Sequence, residues 1–268
     1  MNKKDLAYLY SFVKDKFDGI NELTEYLYFP VADEDYGEDE ECLSDYFDDI
    51  PYNFDTLRSI VGASRVTHGK TKVVLFFNEL DDYVIKIPLA GYALYNYDED
   101  EEEWCYEETI PFAYADDTSE ELYDRLTDNE QLVFSECING CDYCAIEALI
   151  FNIAQKDLID SAFAGTWYLG QIYGVPVYAS EKCSNCIPSV GREKIDRIIT
   201  ETEDLEKKMY YHSIEIESLY WMINTLGYGL TMKFFDFIKK YDIADLHQEN
   251  FGMYGNRACV LDYAGFRG

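Results

Sequence analysis

Two carboxylates and a carboxamide stand close together near the end of this sequence. Asp245 is followed five positions later by Asn250, and Asp262 comes after Gly252 and an apolar run ending at Val260-Leu261. Carboxylate and amide oxygens are hard donors of the kind Mg²⁺ takes while keeping part of its shell for phosphates and water. A third oxygen group nearby can orient a hydroxyl. An Asp-x4-Asn spacing is common by itself, and its plainer reading is a glycine-punctuated hairpin with polar loop residues. The strand and the second Asp make the combination more selective.

Lys86 is the next candidate. It sits in Val84-Ile-Lys-Ile87, an alternating apolar strand where a cation is out of place unless something anionic awaits it or the strand is an exposed edge. Gly69-Lys70-Thr71 looks like the end of a P-loop, but position 64, where that motif needs glycine, is Ser64, and the pattern after Thr71 is a strand. Cys141-x-x-Cys144 and Cys183-x-x-Cys186 offer four thiolates for zinc, with Cys183 and Cys186 the better pair. The 38 residues between the two pairs exceed the usual zinc-ribbon spacing. Cys137, Cys141 and Cys144 also fall at i, i+4 and i+7 of a predicted helix, the pattern of a buried seam.

The elements that must position these groups follow from periodicity and turn chemistry. Strands are predicted from Ile60-Val61 through Thr67, over Lys72–Phe77 and over Asp82–Ile87, joined by turns at His68–Thr71 and Asn78–Asp81. Helical spacing runs from Cys141 to Ala154, with Ile146, Leu149, Ile150 and Ile153 on one face. Trp167–Leu169 and Gly174–Tyr178 read as two further strands. Helices are predicted at about 191–209, 213–226 and 229–240, the last two parted by Gly227-Tyr-Gly229, before a closing hairpin that carries Asn250 and Asp262.

In that order the chain resembles the protein-kinase-like fold over roughly residues 60–268. The resemblance implies an α+β protein with a small N-terminal sheet lobe and a truncated helical C-terminal lobe. It divides the chain into an acidic extension at 1–55, a sheet lobe at 56–182 with an insertion at about 92–135, and a helical lobe at 183–268. It also implies ATP and Mg²⁺ as cofactors for phosphoryl transfer to an unknown, protein acceptor. Asp245 would face the acceptor hydroxyl, Asn250 and Asp262 would hold Mg²⁺, and Lys86 would meet the α- and β-phosphates. Glu147 would hold Lys86, with Glu136 and Asp142 competing for that role. Gly69, Lys70 and Thr71 would cover the phosphates. The sequence departs from the family in several places. A single glycine replaces the glycine-rich loop, Ile243-Ala-Asp245 replaces His-Arg-Asp, Asp262-Tyr-Ala264 replaces Asp-Phe-Gly, and six residues follow Asp262. Compact kinase-like proteins of bacteriophages and their hosts are similar in the Asp-Leu-His-x-x-Asn-Phe-Gly stretch.

Composition bounds the partners. The chain of 268 residues carries 22 Lys and Arg against 53 Asp and Glu, a net charge of −31. Such a surface repels nucleic-acid phosphate and anionic membranes, so direct binding of either is not expected. Residues 33–49, 98–108 and 116–130 hold ten, eight and seven acidic groups, laced with aromatic residues, and Arg125 is their only basic residue. This pattern supports a second function class: an inactive kinase-like binding protein. Its acidic surface would imitate nucleic acid and occupy the basic groove of a host DNA-binding or defence protein. No stretch has the length of a transmembrane helix, no signal peptide is evident, and the eight cysteines are expected to be reduced, which together predict a cytoplasmic protein.

Overall fold

The computed structural model describes residues 1–20, 22–32, 53–98, 103–112, 120–139, 141–184, 187–195 and 214–266. The acidic run at 33–49 lies outside them, as does most of the helix predicted at 191–209, of which 192–195 are helical. The chain is α+β with mixed sheets and divides into two compact units. Residues 1–114 with 168–179 form the first, and residues 115–167 with 180–268 the second.

The first unit opens with α1, Lys3–Lys16, which begins on a capping box: the Asn2 side chain accepts from the backbone N–H groups of Lys4 and Asp5. Lys14 and Lys16 close it on the side the helix dipole favours for cations, and Leu9 and Val13 bury one face. Strand β1, Tyr28–Ala32, follows. Helix α2, Asn53–Val61, buries Phe54, Leu57 and Val61 at helical spacing. Ile60 and Val61 therefore end a helix and do not begin a strand as the β-branched run predicts. The stop is a Schellman turn, with Gly62 at φ 68° donating to Ser59 O and Ala63 donating to Arg58 O. Strand β2 starts only at Arg65 and ends at His68.

Strands β2, β3 (Lys72–Phe76) and β4 (Tyr83–Pro88) form an antiparallel meander. Strands β7 (Thr166–Ile172) and β8 (Val175–Glu181) complete a five-stranded sheet in the order β2-β3-β4-β8-β7. The β7–β8 turn places Tyr173 at φ 50° and Gly174 at φ 84°, the two left-handed positions of a type I′ hairpin. Strand β4 is central and nearly continuous in its burial, as expected of a strand covered on both faces. A second sheet has the order β1-β5-β6, where β5 (Gly91–Asp98) runs parallel to β1 and antiparallel to β6 (Glu103–Pro111). Leu9, Val13 and Phe17 from the N-terminal segment share one apolar core with Val73, Ile85, Ile87 and Val177.

The second unit is mostly helical. It contains α3 (Glu120–Arg125), α4 (Asp128–Asn139), α5 (Tyr143–Lys156), α6 (Ile216–Leu226) and α7 (Tyr228–Lys240). A two-stranded hairpin follows, β9 (Phe251–Tyr254) paired with β10 (Arg257–Val260). The expected single helix through Cys137, Cys141 and Cys144 is broken. Cys137 lies on α4, Cys141 takes φ 51° between helices, and Cys144 lies on α5, which starts on an Asp142 cap. All three thiols are buried, and burial pushes the Cys137 thiol up to about 12. The core gathers on Phe163, whose ring meets Phe234, Phe237 and Tyr263 at centroid distances of 5.5, 5.6 and 5.0 Å.

His68 packs against the rings of Phe54 and Phe29, and desolvation lowers its pKa from 6.5. The unfolded chain thus takes up this proton first, and the associated stability is present above 6.5 and lost as pH falls through the lower folded value. In His68→Leu, the loss of urea midpoint between about pH 7.5 and about pH 5.5 is expected to be smaller than in wild type.

Candidate functional site

In the second unit the hairpin aligns the carboxamide with the last carboxylate. Val260 pairs with Phe251, and the ladder continues one step as Leu261 N–H donates to Asn250 O at 2.8 Å. Asn250 therefore enters β9 beside the point where Asp262 leaves β10. The two-residue turn at the far end places Gly255 at φ 59°, in the first turn position where glycine is favoured.

The segment after Asp262 returns alongside the Asp245 loop. Ala244 N–H donates to Gly265 O at 3.0 Å, and Ile243 forms a β-bridge with Phe266. A Cβ on Gly265 would stand 3.1 Å from Asp245 Cβ. Ile243, Leu246, Phe251 and Tyr263 are buried, while Asp245 is exposed and His247, Asn250 and Asp262 are half-buried. Apolar anchors thus hold the loop at both sides, and the polar side chains project between them. Asp245 takes φ 56°, a left-handed conformation costly for a non-glycine residue but more accessible to Asp than to most.

The orientation of Asn250 is set by its neighbours. Its Nδ2 lies 2.6 Å from the Asp245 carbonyl oxygen, which can only accept, so nitrogen and not oxygen must face it. The same Nδ2 lies 3.1 Å from His247 Nε2, and donation there requires the imidazole tautomer with its proton on Nδ1. With Nδ2 turned to the Asp245 carbonyl, Oδ1 is the end of the amide that can accept or ligate. His247 Nε2 stands 3.7 Å from Asp245 Oδ1.

Glu147 is fully buried on α5, so the alternative of a solvated helix-surface carboxylate does not hold. Asp142 is occupied in capping the same helix, where its carboxylate accepts from Ala145 N–H. A buried carboxylate needs partners, and one is Thr166, whose Oγ1 donates to Glu147 Oε2 at 3.4 Å. Thr166 also meets Ser180 Oγ at 3.3 Å and the Tyr263 hydroxyl at 3.2 Å. That hydroxyl lies 2.7 Å from the Ala164 carbonyl. Burial holds the Tyr263 phenol well above its ordinary pKa, and the nearby Glu147 adds to the shift. This polar chain was not legible in the sequence; its one signal was tyrosine after Asp262 where the resemblance expects phenylalanine.

In the first unit, Lys86 lies opposite Val74 on central strand β4 and is 6% exposed, which removes the exposed-edge alternative. Lys72, on β3, is as deeply buried. Gly69, Lys70 and Thr71 form the β2–β3 turn, where Gly69 N–H donates to Lys72 O and Leu89 N–H donates to Thr71 O. Gly69 has no left-handed φ, and a Cβ there would meet nothing within 4 Å, so no local geometry demands glycine at this turn.

Among the described residues no group of three or more His, Cys, Asp or Glu side chains is arranged to hold a metal ion. For zinc this removes any site built from Cys141, Cys144 and Cys183 alone, while Cys186 lies outside the described residues. Cys183 instead pairs with Cys259, Sγ to Sγ 3.4 Å. The Cys183 thiol hydrogen bond lowers the Cys259 pKa against the opposing effect of burial. Mg²⁺ is a different case, because it is commonly held by one or two protein oxygens with phosphates and waters. The carboxamide oxygen of Asn250 and the carboxylate of Asp262 fit that demand. No helix of the described residues is long and apolar enough to cross a membrane. Compared with protein-family models, curated proteins and solved structures, the chain gives no match.

Gly252 locks this hairpin in place, since a Cβ there would come 2.1 Å from the Ser184 backbone oxygen. Gly252→Ala is expected to destabilise the protein by about 1–3 kcal/mol, because backbone on one side or the other must move. Urea denaturation followed by tryptophan fluorescence measures the loss.

Proposed function

We propose that this chain is a kinase-like phosphotransferase that uses ATP and Mg²⁺ to phosphorylate a hydroxyl on a protein acceptor. The observation that carries the reading is the Asp245–Asn250–Asp262 arrangement. The pairings Leu261–Asn250 and Ala244–Gly265 bring the two segments side by side, and the Asn250 amide is turned so that its oxygen remains for a metal. The order of elements supports it as well. Three antiparallel strands with Lys86 on the third are followed, after β5, β6, α3 and α4, by a helix bearing Glu147, two more strands, two helices and the hairpin. Burial of Lys86 and of Glu147 is what their assigned roles require, because neither is free to serve as a solubilising surface charge.

In this reading Asn250 Oδ1 and Asp262 hold Mg²⁺, which when bound neutralises charge on the nucleotide phosphates. Asp245 would accept a hydrogen bond from the acceptor hydroxyl and take its proton as that oxygen bonds to the γ-phosphorus and the β–γ bridging oxygen leaves with ADP; its exposed side chain suits a group that must reach an incoming substrate. His247 and the Asp245 carbonyl hold the Asn250 amide in register. Lys86 would bind the α- and β-phosphates.

Thermal unfolding with and without ATP and Mg²⁺ tests the proposal. At a ligand concentration one hundred times Kd, wild type should gain about 2.7 kcal/mol of stability. The gain should require Mg²⁺ and vanish in Asp262→Ala, while Lys86→Met should need more ATP for the same shift. Absence of any shift in wild type at millimolar ATP refutes a nucleotide site and leaves the binding-protein reading, with its acidic surface, as the better account.

A further inference from the structure

Strand β6 lies at the edge of its sheet, and among the described strands its one neighbour is β5. Cross-strand partners share a face and successive residues alternate. Tyr95 pairs with Tyr106 and Tyr97 with Trp104, so these four rings line one face. They meet edge-on, at 5.8 Å for Tyr95–Tyr106 and 5.3 Å for Tyr97–Trp104. Asn96 pairs with Cys105 and Asp98 with Glu103, placing these residues on the opposite face, where the Glu107 carboxylate also accepts a hydrogen bond from Asn96. Tyr97 is 48% exposed and Tyr106 56%, and Glu103, Glu107 and Glu108 are exposed too. Among the described residues those three glutamates form no ion pair with a cation. The strand is thus aromatic on one face and acidic on the other.

An open strand edge presents backbone donors and acceptors to any extended chain that can approach. The charge decides which chain that is. A second copy would set glutamate against glutamate, and like charges placed opposite one another across strands are destabilising. A strand with Lys or Arg at alternate positions instead sets cations beside Glu103 and Glu107. Its intervening apolar side chains then fall on the aromatic face, where they pack on Tyr106 and Trp104.

We propose that the outer edge of β6 is a docking site for an extended peptide segment that alternates cationic with apolar residues, bound by strand addition. The alternation is the specific part of the claim, because an overall charge of −31 attracts any cationic chain without regard to order.

Two synthetic nonapeptides test it, one alternating Lys and Val and one of the same composition with its lysines in a single block, each carrying a fluorophore. Fluorescence anisotropy at moderate salt should show the alternating peptide binding at least tenfold more tightly than the block isomer. Replacing its central valine with proline should weaken it by a similar factor, since proline removes a ladder N–H. On the protein side, Glu103→Gln with Glu107→Gln, and separately Tyr106→Ser, should each weaken the alternating peptide while leaving the thermal midpoint of these exposed sites nearly unchanged. Equal binding of the two isomers, indifference to proline, or no binding of the alternating peptide at millimolar concentration would each overturn the proposal. No nucleotide enters the experiment, so its outcome is independent of the phosphotransferase reading.

Discussion

The second unit is organised around a phenol that has no access to water. Tyr263 is fully buried among Phe163 and its aromatic neighbours, and a hydroxyl in that setting must find a partner or cost stability. The Ala164 carbonyl at 2.7 Å supplies one, and Thr166 a second. Because the ring and the hydroxyl are both held, the backbone around residue 263 has little freedom. Asp262 on one side and Gly265 on the other inherit that placement. The Gly265 carbonyl then fixes Ala244, and through it the left-handed Asp245.

A chain of short-range constraints thus holds the Asp245 loop against the closing hairpin. Asn250 is held by the Asp245 carbonyl and by His247, two residues after Asp245. The tyrosine after Asp262 carries the hydroxyl that reaches Thr166 and, through it, Glu147. These interactions tie the loop down from both sides.

Local structure was largely legible in the sequence. The β3, β4, β7 and β8 strands and helices α5, α6 and α7 lie near their predicted positions, because alternation, helical spacing and glycine turns are properties of adjacent residues. Ile60-Val61 misled because β-branched residues favour strands, while the Schellman stop at Gly62 depends on hydrogen bonds that composition does not reveal. The cysteine spacing misled for a related reason: a single left-handed residue, Cys141, splits a pattern that looks continuous. Parallel pairing of β1 with β5 joins segments about sixty residues apart and leaves no local trace. At the site, hairpin spacing was enough to bring Asn250 near Asp262. The orientation of the amide and the depth of Glu147 were not readable, since each is set by groups distant in sequence.

The five-stranded sheet has a consequence for how the chain is made. Strand β4 is complete by residue 88, but its second neighbour, β8, begins at residue 175, after most of the first half of the other unit has been synthesised. At about 5–20 residues per second, the emerging chain exposes an apolar strand edge for roughly 4–17 seconds before its partner exists. During that interval the meander has hydrogen-bonding capacity that no native segment can fill. Its solubility at that stage rests on the charge already translated, and the first hundred residues carry a large excess of acid. The acidity of this protein thus has a use before folding is finished, as electrostatic protection of an incomplete sheet.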